Sequence, residues 1–145
     1  MSQQLKQILL PQLKEHEGLR LKPYRCTEGK LTIGIGRNLE DRGISESEAE
    51  YLLSNDVDEV LQRLQEMPVF NQLDVTRQAV LANMAFQLGF AGLSKFRRMW
   101  AALESGHYGV AAMEMMNSRW AVQTPNRAYQ LSVMMREGGD AEQSE

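Results

Sequence analysis

Cys26 is the one cysteine in 145 residues, so no internal disulfide can form and a reducing compartment suits the chain. Histidine is almost as scarce. His16 and His107 read as surface or packing residues, and no group of residues has metal-ligand spacing, so neither a metal nor a cofactor is expected. No apolar run approaches the roughly 18 residues a membrane span requires, which argues against stable membrane association. The opening MSQQLKQILLPQLKEHEG lacks a basic start and a small-residue cleavage site, so it is not read as a secretion signal. A basic stripe is missing too, and with a net charge of −3 nucleic acid is a poor partner. There is no internal repeat and no low-complexity segment. A chain of this length is expected to bury one substantial core.

The charge that is present is unevenly placed. Residues 1–38 carry seven Lys/Arg against three Asp/Glu, residues 39–66 two against nine, and the remainder seven against seven. The basic N-terminal segment would suit an anionic polymer, and the acidic block reads as the solvated face of a helix. Leu5, Ile8, Leu9 and Leu13 have helical spacing, with a kink or break expected at Pro11. The stretch from Glu17 to Gly36, EGLRLKPYRCTEGKLTIGIG, reads as a helix end followed by a β-hairpin turning at Thr27–Lys30. That hairpin puts Cys26 and Thr32 on facing strands. Arg37 to Gly43 reads as loop or a third short strand.

Ser45 and Glu48 form a capping box that opens a helix expected to run to Met67, where Pro68 stops it. Asp74 caps a helix that is apolar almost all round and is expected at the centre of the core. Ser94 is expected to open the next helix. Tyr108–Met116 should turn Val110, Met113 and Met116 inward, and Thr124-Pro125 should start the last helix, with Thr124 as cap.

Eight residues lie between Glu17 and Cys26, and five between Cys26 and Thr32. The pattern resembles the Glu-x8-(Asp or Cys)-x5-Thr signature of the phage-type lysozymes, the muramidases of glycoside hydrolase family 24. Two further blocks in the same order are similar to that family: NMAFQLG, from Asn83 to Gly89, and SRWAVQTPNRA, from Ser118 to Ala128. The resemblance implies an α+β, lysozyme-like fold with a β lobe at about 17–44 and a linker helix at 46–67. Residues 1–16 and 68–138 would form a helical lobe, and 139–145 a tail. It also implies hydrolysis of the β-1,4 bond between N-acetylmuramic acid and N-acetylglucosamine in peptidoglycan. Glu17, Cys26 and Thr32 match the catalytic positions; Gln87, Trp120 and Thr124 match positions lining the cleft, and Arg127 matches an arginine near the acid. As an endolysin, the chain would be a monomer made in the host cytoplasm, reaching the glycan strands only after a separate holin-like protein permeabilises the membrane.

The chemistry agrees with those residue types. Glycoside cleavage needs a proton for the leaving oxygen and an electron-rich partner for the developing oxocarbenium ion. Glu17 is the natural donor. A thiol at Cys26 could act as a thiolate base, as a nucleophile forming a glycosyl-thioether, or as a passive group orienting water beside Thr32. Lys22, Arg25 and Lys30 are near enough in sequence to favour the thiolate. The inverting route, with a water held by Cys26 and Thr32, is the preferred reading. Its rivals are a lytic transglycosylase, which needs no catalytic water, and a non-catalytic wall-binding or structural module. For Trp120, a sugar platform and a core position are both open. Arg37 and Asp56 are expected to pair for stability.

Overall fold

The computed structural model describes residues 2–139, so the expected tail lies, Gly139 apart, outside the described residues. The chain divides into two compact units, Met1–Tyr51 and Leu52–Glu145. The architecture is α+β: a small antiparallel sheet in the first unit and a larger set of helices.

The first unit begins with α1 (Gln3–Glu17), whose first turn is capped by the Ser2 hydroxyl accepting from the Leu5 amide at 3.2 Å. No break occurs at Pro11; the helix is continuous through it. None of its residues is buried, so the Gln7 carbonyl that the proline leaves without a donor can take its hydrogen bond from water. After Gly18 the chain forms β1 (Arg20–Arg25), β2 (Leu31–Gly34) and β3 (Arg37–Asn38), ordered β1-β2-β3. The β1–β2 register slips between Arg20 and Tyr24, and Pro23, which has no N–H for a ladder, sits in that interval. Gly29 donates to the Cys26 carbonyl at 2.8 Å with φ +81°, and Cys26 donates to the Lys30 carbonyl at 3.0 Å. This is a tight turn with a left-handed residue at its end, the position for which glycine is selected.

The stretch after β3 is helical, not extended: α2 (Leu39–Arg42) is capped by Asn38 Oδ1, which accepts from the Asp41 amide at 3.0 Å. Glu40 ties this turn to the hairpin, accepting from Arg25 Nη1 and from the Leu31 amide, both at 3.2 Å. The next helix, α3 (Glu46–Leu64), opens with the expected capping box. Glu48 N donates to Ser45 Oγ at 3.2 Å, and Ser45 N donates to Glu48 Oε1 at 2.8 Å. Its first turns belong to the first unit and the rest to the second. It ends three residues early, because Pro68 does not stop it but starts α4 (Pro68–Asn71) at the first helical position.

The second unit continues with α5 (Val75–Ser94), α6 (Arg97–Glu104), α7 (Tyr108–Met116), α8 (Arg119–Gln123) and α9 (Pro125–Glu137). Asp74 caps α5 as expected, its Oδ2 accepting from Arg77 N at 3.2 Å. The helix bends at Gly89 and buries one face, with Val80, Leu81, Met84 and Ala85 inward and Val75 and Phe86 exposed. Ser94 closes α5, its hydroxyl donating to the Ala91 carbonyl, and does not open α6. Thr124 likewise gives its hydroxyl proton to the Trp120 carbonyl and leaves α9 without a side-chain cap.

The orientation of α7 is the largest departure from expectation. Ala111, Ala112 and Met115 are buried, whereas Val110, Met113 and Met116 face out, Met113 at 60% exposure. The helix packs against α6 and α9, where two alanines permit close approach that longer side chains would prevent. Among the described residues, all of the buried hydrophobic ones lie between Leu64 and Met135, and Met84, Met99, Met115 and Met135 are among the fully buried side chains.

Candidate active site

Glu17 is the last residue of α1, so its side chain projects where the helix gives way to the sheet. Its carboxyl lies directly against the backbone of Gly36, in the turn between β2 and β3. That turn is closed by the Ile33–Arg37 pair and anchored from outside. Arg37 donates from Nη1 and Nη2 to the two Glu48 oxygens at 2.7 and 2.6 Å, and Nη1 also reaches the Gly43 carbonyl at 3.3 Å. The expected Arg37 partner was Asp56; the bidentate partner is Glu48, two turns earlier on the same helix. The Arg37 guanidinium, followed by the Ser45 amide, holds the Glu48 carboxyl down at about 2.

Cys26 lies one residue beyond β1, in the turn rather than on the strand. Tyr24 pairs directly with Thr32, so strand alternation puts Cys26 diagonally across from Thr32 on the same side of the hairpin. The sulfur is held below the ordinary thiol range chiefly by the Lys30 N–H, then by the Glu28 N–H, with the Thr32 hydroxyl adding to them. Partial burial and the Glu28 charge oppose this. The cause is therefore peptide dipoles, not the neighbouring cationic side chains. Lys30 pairs with Asp41 at 3.4 Å and Arg25 with Glu40 at 3.2 Å, which also neutralises part of the basic surplus read from the sequence. Thr32 is 4% exposed and gives its hydroxyl proton to the Lys30 carbonyl at 2.8 Å. A hydroxyl has one proton and can rotate, so the same group can turn to a thiolate when the sulfur ionises.

The other residues singled out from the sequence belong to the second unit. Trp120 is 4% exposed and packs edge-on against Phe96, with ring centroids 6.0 Å apart. Of its two sequence readings, burial favours the core: the ring has no free face on which a sugar could stack. Its indole N–H instead donates to Gln87 Oε1 at 2.8 Å, which orients the exposed amide of Gln87. Thr124 is tied to the Trp120 carbonyl. Arg127 donates to Asn83 Oδ1 at 2.9 and 2.6 Å, a partner not singled out from sequence although it opens the second family-like block. Arg127 also borders a largely apolar concavity of about 430 Å³ between α3 and α5, with Val57, Leu61 and Phe86 on its walls. A second concavity of about 480 Å³ has Trp120 at its edge and Lys95, Arg98 and Arg119 around it. No cluster able to hold a metal occurs among the described residues, and no helix there is long and apolar enough to cross a membrane.

A helix-end acid seated on a β turn, with a thiol and a hydroxyl on the hairpin that follows it, is an arrangement suited to glycoside hydrolysis, the chemistry of the lysozymes. Residues 14–135 match the phage lysozyme family, and the chain belongs to it. It is 30% identical to probable T4-type lysozyme 2 of Dictyostelium discoideum, over 87% of this chain and 92% of that protein. It is also 30% identical to the pre-baseplate central spike protein Gp5 of Enterobacteria phage T4, over 87% of this chain and 27% of the spike protein. An endolysin of Acyrthosiphon pisum secondary endosymbiont phage 1 is 30% identical, over 75% of this chain and 74% of the endolysin. The chain is a lysozyme-type peptidoglycan hydrolase.

Proposed function

We propose that the enzyme cleaves the β-1,4 bond between N-acetylmuramic acid and N-acetylglucosamine with inversion, and that it serves host-cell lysis. The reading is carried by the hairpin face on which Cys26 and Thr32 lie together, in the same unit as Glu17 on its Gly36 seat. Glu17 gives its proton to the glycosidic oxygen as that bond breaks and the sugar ring gains oxocarbenium character. A water held between the Cys26 sulfur and Thr32 Oγ1 attacks the anomeric carbon from the opposite side. The water's proton passes to the sulfur, whose thiolate is favoured by the Lys30 and Glu28 amides. Glu17 ends as a carboxylate and Cys26 as a thiol, and proton exchange with solvent resets both.

Gln87, Thr124 and Arg127 are the substrate-binding groups on this reading, and Trp120 acts through Gln87 by fixing the direction of its amide. The cations near the α6–α8 concavity suit carboxylates of the wall's peptide stems. The enzyme works as a monomer on glycan strands, without a cofactor, and depends on a holin-like protein for access from the cytoplasm.

The test is the anomer released from soluble peptidoglycan fragments, followed by NMR. Inversion is expected from the native enzyme and no turnover from Glu17→Gln. Retention would replace the water route with a covalent one through Cys26, and an anhydro-muramic product would make the enzyme a transglycosylase. Alkylation of Cys26 should abolish turnover with the fold intact, whereas full activity in Cys26→Ala would remove the sulfur from the reaction.

A further inference from the structure

The position of the Glu17 carboxyl has no polar explanation. Among the described residues, no hydrogen bond or ion pair reaches that group, and its residue is solvent-exposed at the end of α1. What it does meet is the main chain at Gly36. A methyl group at position 36 would stand 2.9 Å from Glu17 Cδ and Oε1 and 3.0 Å from Cγ, and its three nearest neighbours are all Glu17 atoms. The turn is a firm support. Ile33 pairs with Arg37 across it, and the Arg37–Glu48 fork, at 2.6 and 2.7 Å, fixes the residue next to Gly36.

We infer that Gly36 is a positioning residue for Glu17: its bare backbone is the seat that sets where the acid's carboxyl stands. The inference rests on Glu17 being the proton donor. General acid catalysis requires the donor within hydrogen-bonding reach of the leaving oxygen, and a displacement of about 1 Å costs on the order of 100-fold in rate. A side chain at 36 cannot share the space with the carboxyl. Glu17 must then turn away or the β2–β3 turn must retreat, and either movement separates the donor from its target.

Gly34 supplies a matched control. It has the same φ of +71° as Gly36, but a methyl group there would meet nothing within 4 Å. Gly34→Ala therefore carries the backbone strain alone, and Gly36→Ala carries the strain plus the collision. On soluble peptidoglycan fragments, kcat of Gly36→Ala should fall at least about tenfold below that of Gly34→Ala, with KM little changed.

A second measurement does not depend on turnover. The stability lost in Gly36→Ala should shrink when Glu17 is replaced by Ala, while the loss in Gly34→Ala should be the same in both backgrounds. If Gly36→Ala does not fold, the Glu17→Ala/Gly36→Ala double variant is expected to fold. Equal kcat in the two glycine variants, additive stabilities, or failure of both Gly36 chains to fold would overturn the inference. Full activity in Glu17→Gln would instead overturn the proton-donor reading, and the stability cycle would still test the contact.

Discussion

At the residue scale, the Arg37–Glu48 fork ties the β3 edge to the first turn of α3, and it makes that tie sensitive to acid. The Glu48 carboxyl is held at about 2, first by the Arg37 guanidinium. A carboxyl depressed on folding contributes stability that is complete above its unfolded value near 4.5 and disappears as pH falls through about 2. Urea denaturation between pH 5 and 2 should therefore show a loss of stability that is reduced in Glu48→Gln, and an identical acid limb in both proteins would refute the assignment. The two site groups differ in how far they could be read from sequence. Cys26 and Thr32 are joined by one short hairpin, so alternation and turn length alone bring them to one side. Glu17 and Gly36 meet only because a helix end comes to rest on a turn, and no local spacing encodes that. For Trp120, the apolar surface suited to a sugar is the same surface suited to a core. Arg37 could have met either of two acids on α3, and a helical period does not say which turn lies nearest.

At the scale of elements, Arg77 holds the end of α9. Its Nε donates to the Met135 carbonyl at 2.6 Å and Nη2 to the Arg136 carbonyl at 2.9 Å, satisfying carbonyls that a helix end leaves open. Nη1 reaches Asp74 Oδ1 at 2.9 Å, and the guanidinium lies 3.6 Å over the Tyr108 ring. One side chain thus links the starts of α5 and α7 to the end of α9. Arg77→Ala should cost about 2–4 kcal/mol by denaturant unfolding, and Arg77→Lys should recover only part, because an ammonium lacks the planar fork. A change within about 0.5 kcal/mol would show that water replaces these bonds. Helix positions were legible because capping residues and apolar periods are local; α7 occupies the residues expected of it. The face it buries was not, since Ala111 and Ala112 win the inside by their small size, which hydrophobicity does not register. Pro11 misled for a related reason: a broken helix is expected where the lost hydrogen bond is buried, and α1 has no buried residue.

Across the whole molecule, burial is divided unevenly between the two units. Every buried hydrophobic side chain falls in Leu52–Glu145, while in Met1–Tyr51 only Thr32 is buried among the described residues. Helices α5, α7 and α9 should accordingly keep their amide protons longest in native-state hydrogen exchange, and the hairpin amides should exchange through smaller local openings. Equal protection in both units would contradict this division. Glu17, the proposed donor, rides on the thinly packed unit together with the Cys26 thiol and the Thr32 hydroxyl. On slow warming, lytic power should fade while the far-ultraviolet signal of the helices is still whole, and should return on cooling. A heat-tolerant form of this enzyme would come from bracing its hairpin, not from refining an interior that lies in the other unit.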